Sequence, residues 1–274
     1  MPSVDAALTH DLEAAEGQAL RSGYEDLPPD ARATLGTSSA RIGDGFAIAL
    51  TAIPIGMFNR VVGLGTARAA ANEDIAAIVA FYEAAGIAQS VVQLPPATEV
   101  APLTEWLAAA GYAPRRRWVK LWHDLEDIPD PATSLRIERI GPDRAADFAA
   151  VCLAAFEMPD DLAPLLGPIV GAPGWSHYVG YDGDEAVTAG ALYVEDGLGW
   201  LGWGSTLESH RGRGGQSAIF AARMRDAREL GCRMVVTETG EEDEQDPVNH
   251  SYRNMVRLGF RLAYPRRNWV RATP

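Results

Sequence analysis

The run Trp200-Leu201-Gly202-Trp203-Gly204-Ser205-Thr206-Leu207, followed by Arg211-Gly212-Arg213-Gly214-Gly215-Gln216-Ser217 and by Ala218-Ile219-Phe220-Ala221-Ala222-Arg223-Met224-Arg225-Asp226-Ala227, decides how this chain folds. The first piece alternates and reads as a strand. The last keeps apolar residues at helical spacing until Gly231, a glycine suited to the position just past a helix end. Met234-Val235-Val236 then reads as a short buried strand. Strand, glycine-rich turn, helix and strand in that order form an anion-binding device. Glycines let the backbone approach a ligand closely, and the new helix presents unpaired N–H groups to it. No lysine followed by Ser or Thr closes the turn as in a P-loop, and the dinucleotide-binding spacing G-x-G-x-x-G is absent.

What remains resembles the pyrophosphate loop of the GCN5-related N-acetyltransferases, whose pattern is Arg or Gln, two residues, Gly, one residue, then Gly or Ala. Arg211, Gly214 and Gln216 occupy its three fixed positions, with Gln216 standing where the family has Gly or Ala. Gly259-Phe260, after a helical stretch near the C-terminus, also looks like the family. The resemblance implies acetyl-coenzyme A as co-substrate, held at the turn by Arg211, Gly212, Arg213, Gly214, Gly215, Gln216 and Ser217. It implies a pantetheine arm lying between two splayed parallel strands, the first ending at Thr206-Leu207, where a backbone N–H would polarise the acetyl carbonyl. The side chains of Arg211 and Arg213 either touch phosphate or face solvent. Asn249 looks like the helix cap that in the family also reaches the coenzyme, and Asn254 is placed to hydrogen-bond the pantetheine amide.

Acetyl transfer to an amine requires the amine to lose a proton and the departing thiolate to gain one. Glu238, in Thr237-Glu238-Thr239-Gly240, and Glu208, just before the turn, are the candidate bases; Glu238 ranks first because it sits nearer the splayed strand end. Many members of the family carry a tyrosine four residues before the late Gly-Phe pair. Here that position is Met255, which has no proton to give. Tyr252, one turn earlier, is the substitute donor or else a packing residue, and Ser251 is a further donor. Of Trp200 and Trp203, at most one is expected to meet substrate, because aromatics on a central strand mostly serve the core. The expected activity is transfer of an acetyl group to a primary amine of a small molecule; the alternative is a coenzyme A-binding module without turnover, in a sensing or regulatory role.

Composition bounds this reading. With 274 residues, 47% of them apolar, the chain can build one large domain or two ordinary ones. A net charge of −13 argues against a nucleic-acid partner and suits a cationic or neutral acceptor in a pocket of net negative charge. Met1 to Gly17 lacks the basic start and apolar core of a signal peptide, and no apolar run is long enough to span a bilayer, so a soluble cytoplasmic protein without membrane partners, monomer or homodimer, is expected. The two cysteines and five histidines show no ligand spacing, and no metal is expected.

An internal echo sets the organisation. Trp106-Leu107-Ala108-Ala109-Ala110-Gly111-Tyr112 parallels Met255-Val256-Arg257-Leu258-Gly259-Phe260, and Arg116-Arg117-Trp118-Val119-Lys120 parallels Arg267-Asn268-Trp269-Val270-Arg271. Both echoes fall in the same order among predicted strands and helices, which include an amphipathic helix over residues 3–22, a loop at Pro28-Pro29, and helices from Thr98 to Ala110 and from Leu162 to Val170. The fold class is therefore mixed α/β, with two tandem acetyltransferase-like domains, each a mixed central sheet flanked by helices. The acidic, proline-bearing stretch from Asp124 to Pro131 divides a degenerate domain at residues 1–127 from an acetyl-coenzyme A-binding domain at residues 133–274. In the first half, Thr66-Ala67-Arg68-Ala69-Ala70-Ala71-Asn72-Glu73-Asp74 replaces the glycine turn, with Asn72 as expected helix cap. Carboxylates in that first helical turn would repel phosphate, so this half is expected to bind no coenzyme and to wall one side of the cleft.

Overall fold

The computed structural model describes residues 4–53, 55–244 and 247–272. The first half runs α1 (Ala6–Glu25), α2 (Pro29–Leu35), β1 (Thr37–Ile42), β2 (Gly45–Leu50), β3 (Arg60–Val62), α3 (Asn72–Ala84), β4 (Gln89–Leu94), α4 (Leu103–Ala109) and β5 (Ala113–His123). The second runs β6 (Arg136–Ile140), α5 (Ala145–Ala155), α6 (Ala163–Leu166), β7 (Trp175–Asp182), β8 (Glu185–Glu195), β9 (Leu198–Thr206), α7 (Gly215–Glu229), β10 (Met234–Gly240), α8 (His250–Arg257) and β11 (Arg261–Ala272). From β1 and again from β7 the order is three strands, helix, strand, helix, strand. The architecture is duplicated.

Several local expectations shift. The helix expected over residues 3–22 runs from Ala6 to Glu25, and its first expected residue lies outside the described residues. Pro29 opens α2 instead of extending a loop, because proline fits the first turn of a helix, where its missing N–H is no loss. Thr37–Ile42, too polar to stand out, is an edge strand. Asn72 is not the cap of α3: Ala71 holds that position, and the Asp74 carboxylate accepts the Ala71 N–H at 2.8 Å. The helix expected from Thr98 begins only at Leu103, and the one over 162–170 shortens to Ala163–Leu166.

Among the described residues the strands form one sheet of eleven in the order β1-β2-β3-β4-β11-β5-β10-β9-β8-β7-β6. The closing strands are exchanged. β5, from the first half, pairs antiparallel with β10 of the second, from Val235↔His123 to Gly240↔Trp118. β11, the last strand, pairs with β4 of the first half as well as with β5. A boundary drawn between residues 127 and 133 thus follows the chain but not the sheet, since hydrogen bonding alone decides which strand completes which half.

Between the halves lies a buried set of charges. Glu13 and Glu16, one turn apart on α1, are fully buried, as are Lys120 on β5 and Arg266 on β11, with Arg60 on β3 nearly so. Arg266 Nη1 lies 2.8 Å from Glu13, Arg60 Nη2 lies 3.0 Å from Glu16, and Lys120 also pairs with Glu16. The Tyr264 hydroxyl donates to Glu13 at 2.9 Å. Burial pushes the Glu16 carboxyl up, but Arg266, Lys120 and Arg60 override it and hold Glu16 well below the usual carboxylate range. Glu238, on β10, joins from the other side, 3.7 Å from Lys120 and 4.0 Å from Arg60.

Removing one member of such a set leaves the others charged and unpaired. Lys120→Met is expected to lower the unfolding free energy by about 3–5 kcal/mol in a urea titration. Because the folded-state pKa of Glu16 is depressed, its contribution is complete above its ordinary value of 4.5 and is lost as pH falls below it. Thermal melts in acid should show that loss in the wild type and a smaller one in Glu16→Gln.

Candidate active site

β9 and β10 are parallel and pair over only three positions, Leu198↔Met234, Gly199↔Val235 and Trp200↔Val236. The Thr237 hydroxyl then bridges to the Leu201 carbonyl at 2.9 Å, and beyond it the strands part. A bulge in β9 helps to part them: Ala189 faces Ser205 and Ala191 faces Gly202, leaving Trp203 and Gly204 opposite the single residue Gly190. Trp203 sits at φ 56°, a left-handed conformation that costs a non-glycine residue about 1–3 kcal/mol. Arg223 of α7 is fully buried and donates to the carbonyls of Ala191 and Gly202 at 2.9 and 3.0 Å, holding the bulged backbone. Burial without a carboxylate partner lowers its guanidinium to about 9.

The bulge also changes what the tryptophans do. Three residues apart on a regular strand they would face opposite sides. Here both line one cavity, with the Trp200 ring lying so close over Gly202 that a Cβ there would meet it at 1.9 Å. The expectation that at most one would meet substrate assumed a regular strand; at this irregularity both border the cavity.

The glycine turn follows. Gly212 (φ 78°) and Gly214 (φ 79°) are left-handed, and Gly214 caps α7 with no side chain satisfying the helix N–H groups. A Cβ on Gly214 would strike the Ala132 carbonyl oxygen at 2.4 Å, whereas one on Gly212 would meet open space. Gly214 is therefore fixed by the linker packed behind the turn, and Gly212 borders the cavity in front. Arg213 turns away from it: Asp182 takes its guanidinium at 2.5 Å and Ser134 at 3.1 Å. Arg211, Gly212, Gly214, Gly215, Gln216 and Ser217 all line the cavity.

The corresponding loop of the first half is filled from within. The buried Asp44 carboxylate accepts from the backbone N–H groups of Gly65, Ala67 and Arg68 at 2.8, 2.6 and 3.2 Å. A chain carboxylate there stands in the place of an external anion. The first half does contribute a wall to the second half's cavity, through Ala19, Gly23 and Tyr24 of α1 together with Phe58, Arg60 and Trp118.

α8 supplies the far side. Ser251, Asn254 and Met255, spaced as one helix face, line the cavity. Asn254 receives the Ser217 hydroxyl at 2.7 Å and donates to Gln216 Oε1 at 3.0 Å, while Gln216 Nε2 donates to Ser251 at 3.3 Å. These bonds latch the start of α7 to α8. Tyr252, a residue on from Ser251 and thus about 100° around the helix, packs against the core cluster of the second half and does not line the cavity. Asn249 caps α8 through Tyr252 N–H, and its amide nitrogen is spent on Gly240 O and Thr239 Oγ1, so it too stays outside.

The cavity encloses ≈1020 Å3 and runs from the glycine turn, past Thr206 and the parted strands, to Glu238 and an apolar chamber beyond. Glu238 is its sole lining carboxylate among the described residues. Burial, and then the Glu16 charge, raise the Glu238 carboxyl above its ordinary value, against the pull of Lys120 and Arg60. Trp200 Nε1 donates to it at 3.2 Å. Glu208 lies in an exposed turn outside the cavity. The N–H of Leu207 is used by Val187 O at 2.9 Å, which removes it as a donor to a ligand carbonyl. The expected net-negative pocket is also not what forms: Arg60 offsets Glu238 in the chamber, while Arg211 and Arg257 lie at the turn. Sequence reasoning missed Arg60, Arg257 and Asp44, because each acts across the fold and none belongs to a local pattern. Among the described residues no group of His, Cys, Asp or Glu is placed to hold a metal, and no helix is long and apolar enough to cross a membrane.

Duplicated halves, parted parallel strands and a glycine turn opening a helix define the fold of the GCN5-related N-acetyltransferases, here in tandem. No protein-family model matches the sequence, and no curated protein is significantly similar to it. Among solved structures, a GCN5-related N-acetyltransferase from Kribbella flavida is similar at 15% identity and a TM-score of 0.66, over 99% of this chain and 96% of that one. One from Sphaerobacter thermophilus is similar at 15% identity and 0.58, over 99% and 95%. A tandem protein of this kind from the clavulanic acid biosynthesis pathway is similar at 14% and 0.57, over 97% and 94%. At such identities the likeness is one of fold.

Three charge-assisted hydrogen bonds end on Asp44. Asp44→Ala is expected to destabilise the protein by at least about 2 kcal/mol in a denaturant titration, with the loss reduced by added phosphate if the emptied loop accepts an external anion.

Proposed function

We propose that the chain is an acetyl-coenzyme A-dependent N-acetyltransferase that acts on a primary amine of a small molecule, with one site per chain, in the second half. The observation that carries this reading is the meeting, in one cavity, of a helix N-terminus without a side-chain cap, a pair of parting parallel strands and the buried carboxylate of Glu238. The residues suit the coenzyme. Gly212 leaves open room at the turn, Arg211 and Arg257 bring positive charge there, and Thr206 and Asn254 offer polar groups along the slot.

When bound, the coenzyme supplies a thioester whose carbonyl carbon accepts a nucleophile. The open edge of β9 past Trp200 offers backbone N–H groups to the carbonyl oxygen as it gains charge. Ionised Glu238 takes a proton from the ammonium and frees the nitrogen lone pair. With the coenzyme bound, the nitrogen would gain the acetyl carbon as the C–S bond breaks and give up its second proton to solvent, while Ser251, the hydroxyl on the cavity face of α8, would deliver a proton to the departing sulfur and recover one from solvent.

A second reading, a coenzyme-binding module without turnover, draws support from Met255 in the family's customary tyrosine position and from Tyr252 packing outside the cavity. Calorimetry with coenzyme A should give one molecule per chain under either reading. Free-thiol release across a panel of primary amines separates them, with none released favouring the module.

Gly212→Asp, which puts a carboxylate into the turn at a residue type that tolerates its left-handed backbone, is expected to weaken coenzyme binding at least about tenfold with an unchanged melting temperature. Two coenzymes per chain, or undiminished affinity, would count against the site. Glu238→Gln should lower kcat/KM by about 10²- to 10⁴-fold. In the wild type, the acid limb of kcat/KM should fall at an apparent pKa above 4.5, since the base must be ionised and its carboxyl is raised. Tyr252→Phe is expected to change kcat less than about twofold and Ser251→Ala to lower it by about a hundredfold; the reverse pattern would return the donor role to Tyr252.

A further inference from the structure

Beyond the parted strands the cavity opens into a chamber between the halves, walled by Tyr24, Phe58, Trp118, Trp175, Trp200 and Trp203. Three of its polar tips are spent within the wall. The Tyr24 hydroxyl donates to Phe58 O at 3.0 Å, Trp175 Nε1 to Ser22 at 2.9 Å, and Trp200 Nε1 to Glu238. Phe58 and Trp203 lie stacked, 6.4 Å apart and 19° from parallel. What faces the interior is mainly aromatic and aliphatic surface, with Glu238 where the chamber meets the coenzyme slot and Arg60 paired to Glu16 beside it. Met57 and Phe156, both lining the cavity, remain 39% and 43% exposed and give it an apolar lip.

We infer that the acceptor is a primary amine carried on an uncharged apolar body of aryl size, its nitrogen at Glu238 and its body against the aromatic walls. The inference rests on the proposed transferase reading and goes further in naming the acceptor class. A polyamine or aminoglycoside-like polycation would leave its further charges against a wall with no carboxylate to meet them. The same apolar surface could accept a long acyl chain on the coenzyme instead. An acyl chain gives a carboxylate at the chamber entrance nothing to do, whereas an ammonium needs one there, and this favours the amine.

The test uses the full chain, with and without saturating coenzyme A, and reads tryptophan fluorescence, because four indoles line the chamber. 2-Phenylethylamine is expected to quench it saturably, and to bind at least about tenfold more tightly than spermidine or ethanolamine. Phe156→Lys and Phe156→Ser change an exposed rim residue and should keep the fold. Each is expected to weaken 2-phenylethylamine at least about fivefold while leaving coenzyme affinity unchanged. Tighter binding of spermidine, or no saturable binding of 2-phenylethylamine, overturns the inference. So does an octanoyl-coenzyme A affinity that exceeds that of acetyl-coenzyme A and falls in the rim variants. The two levels fail separately: coenzyme bound without amine removes the acceptor class alone, whereas absence of coenzyme binding removes the transferase reading itself.

Discussion

Six charged side chains, three acidic and three basic, are buried where the two halves meet: Glu13, Glu16 and Glu238 against Arg60, Lys120 and Arg266. They come from α1, β3, β5, β10 and β11, so the set is complete only when both halves are in place. Buried ion pairs seldom add net stability over well-packed apolar residues, but a partner missing from such a set is costly. The set therefore acts as a condition on assembly: α1 must lie across the sheet with both of its glutamates inward, and both exchanged strands must be in place. The same condition fixes Glu238. A carboxylate whose neighbours are all themselves paired is held in position, yet remains less fully neutralised than Glu16, and so keeps a raised affinity for protons.

The two halves use one backbone device in opposite ways. Each has a turn of N–H groups leading into a helix after its third strand. In the first half Asp44, reaching over from the β1–β2 turn, satisfies those groups permanently. In the second the linker closes one side of the turn, through Ala132 at Gly214 and Thr133 at the Arg213 carbonyl, and the other side faces the cavity. Of the two turns one is plugged and one open, and the plugged half still supplies a wall and a strand to the other.

Much of this was legible from local pattern. The turn at Arg211–Ser217, the echo of Trp118-Val119 in Trp269-Val270 and the two-half order all rest on short-range periodicity and backbone demands that the sequence displays directly. Glu238 could be singled out for the same reason, as a carboxylate at the end of a strand already placed beside the slot. Tyr252 could not be resolved, because an eight-residue helix turns a residue by 100° per step and only packing decides which of three neighbours faces inward. Glu13 and Glu16 read as the polar side of an amphipathic helix, and nothing local reveals that their cations lie 44 to 253 residues away. The strand exchange is equally silent, since β5 and β11 carry similar text and either could pair with either neighbour.

The exchange has a bearing on how the molecule comes into being on the ribosome. Arg266 meets Glu16 across 250 positions of sequence, and β11 enters the sheet between two strands made far earlier. Contacts of that separation form late and slowly. Until β11 emerges, Glu13 and Glu16 lack Arg266, and β4 and β5 have open edges facing one another. The growing chain exposes unpaired strand edges until that strand is in place, and the charge set that fixes Glu238 is completed only then.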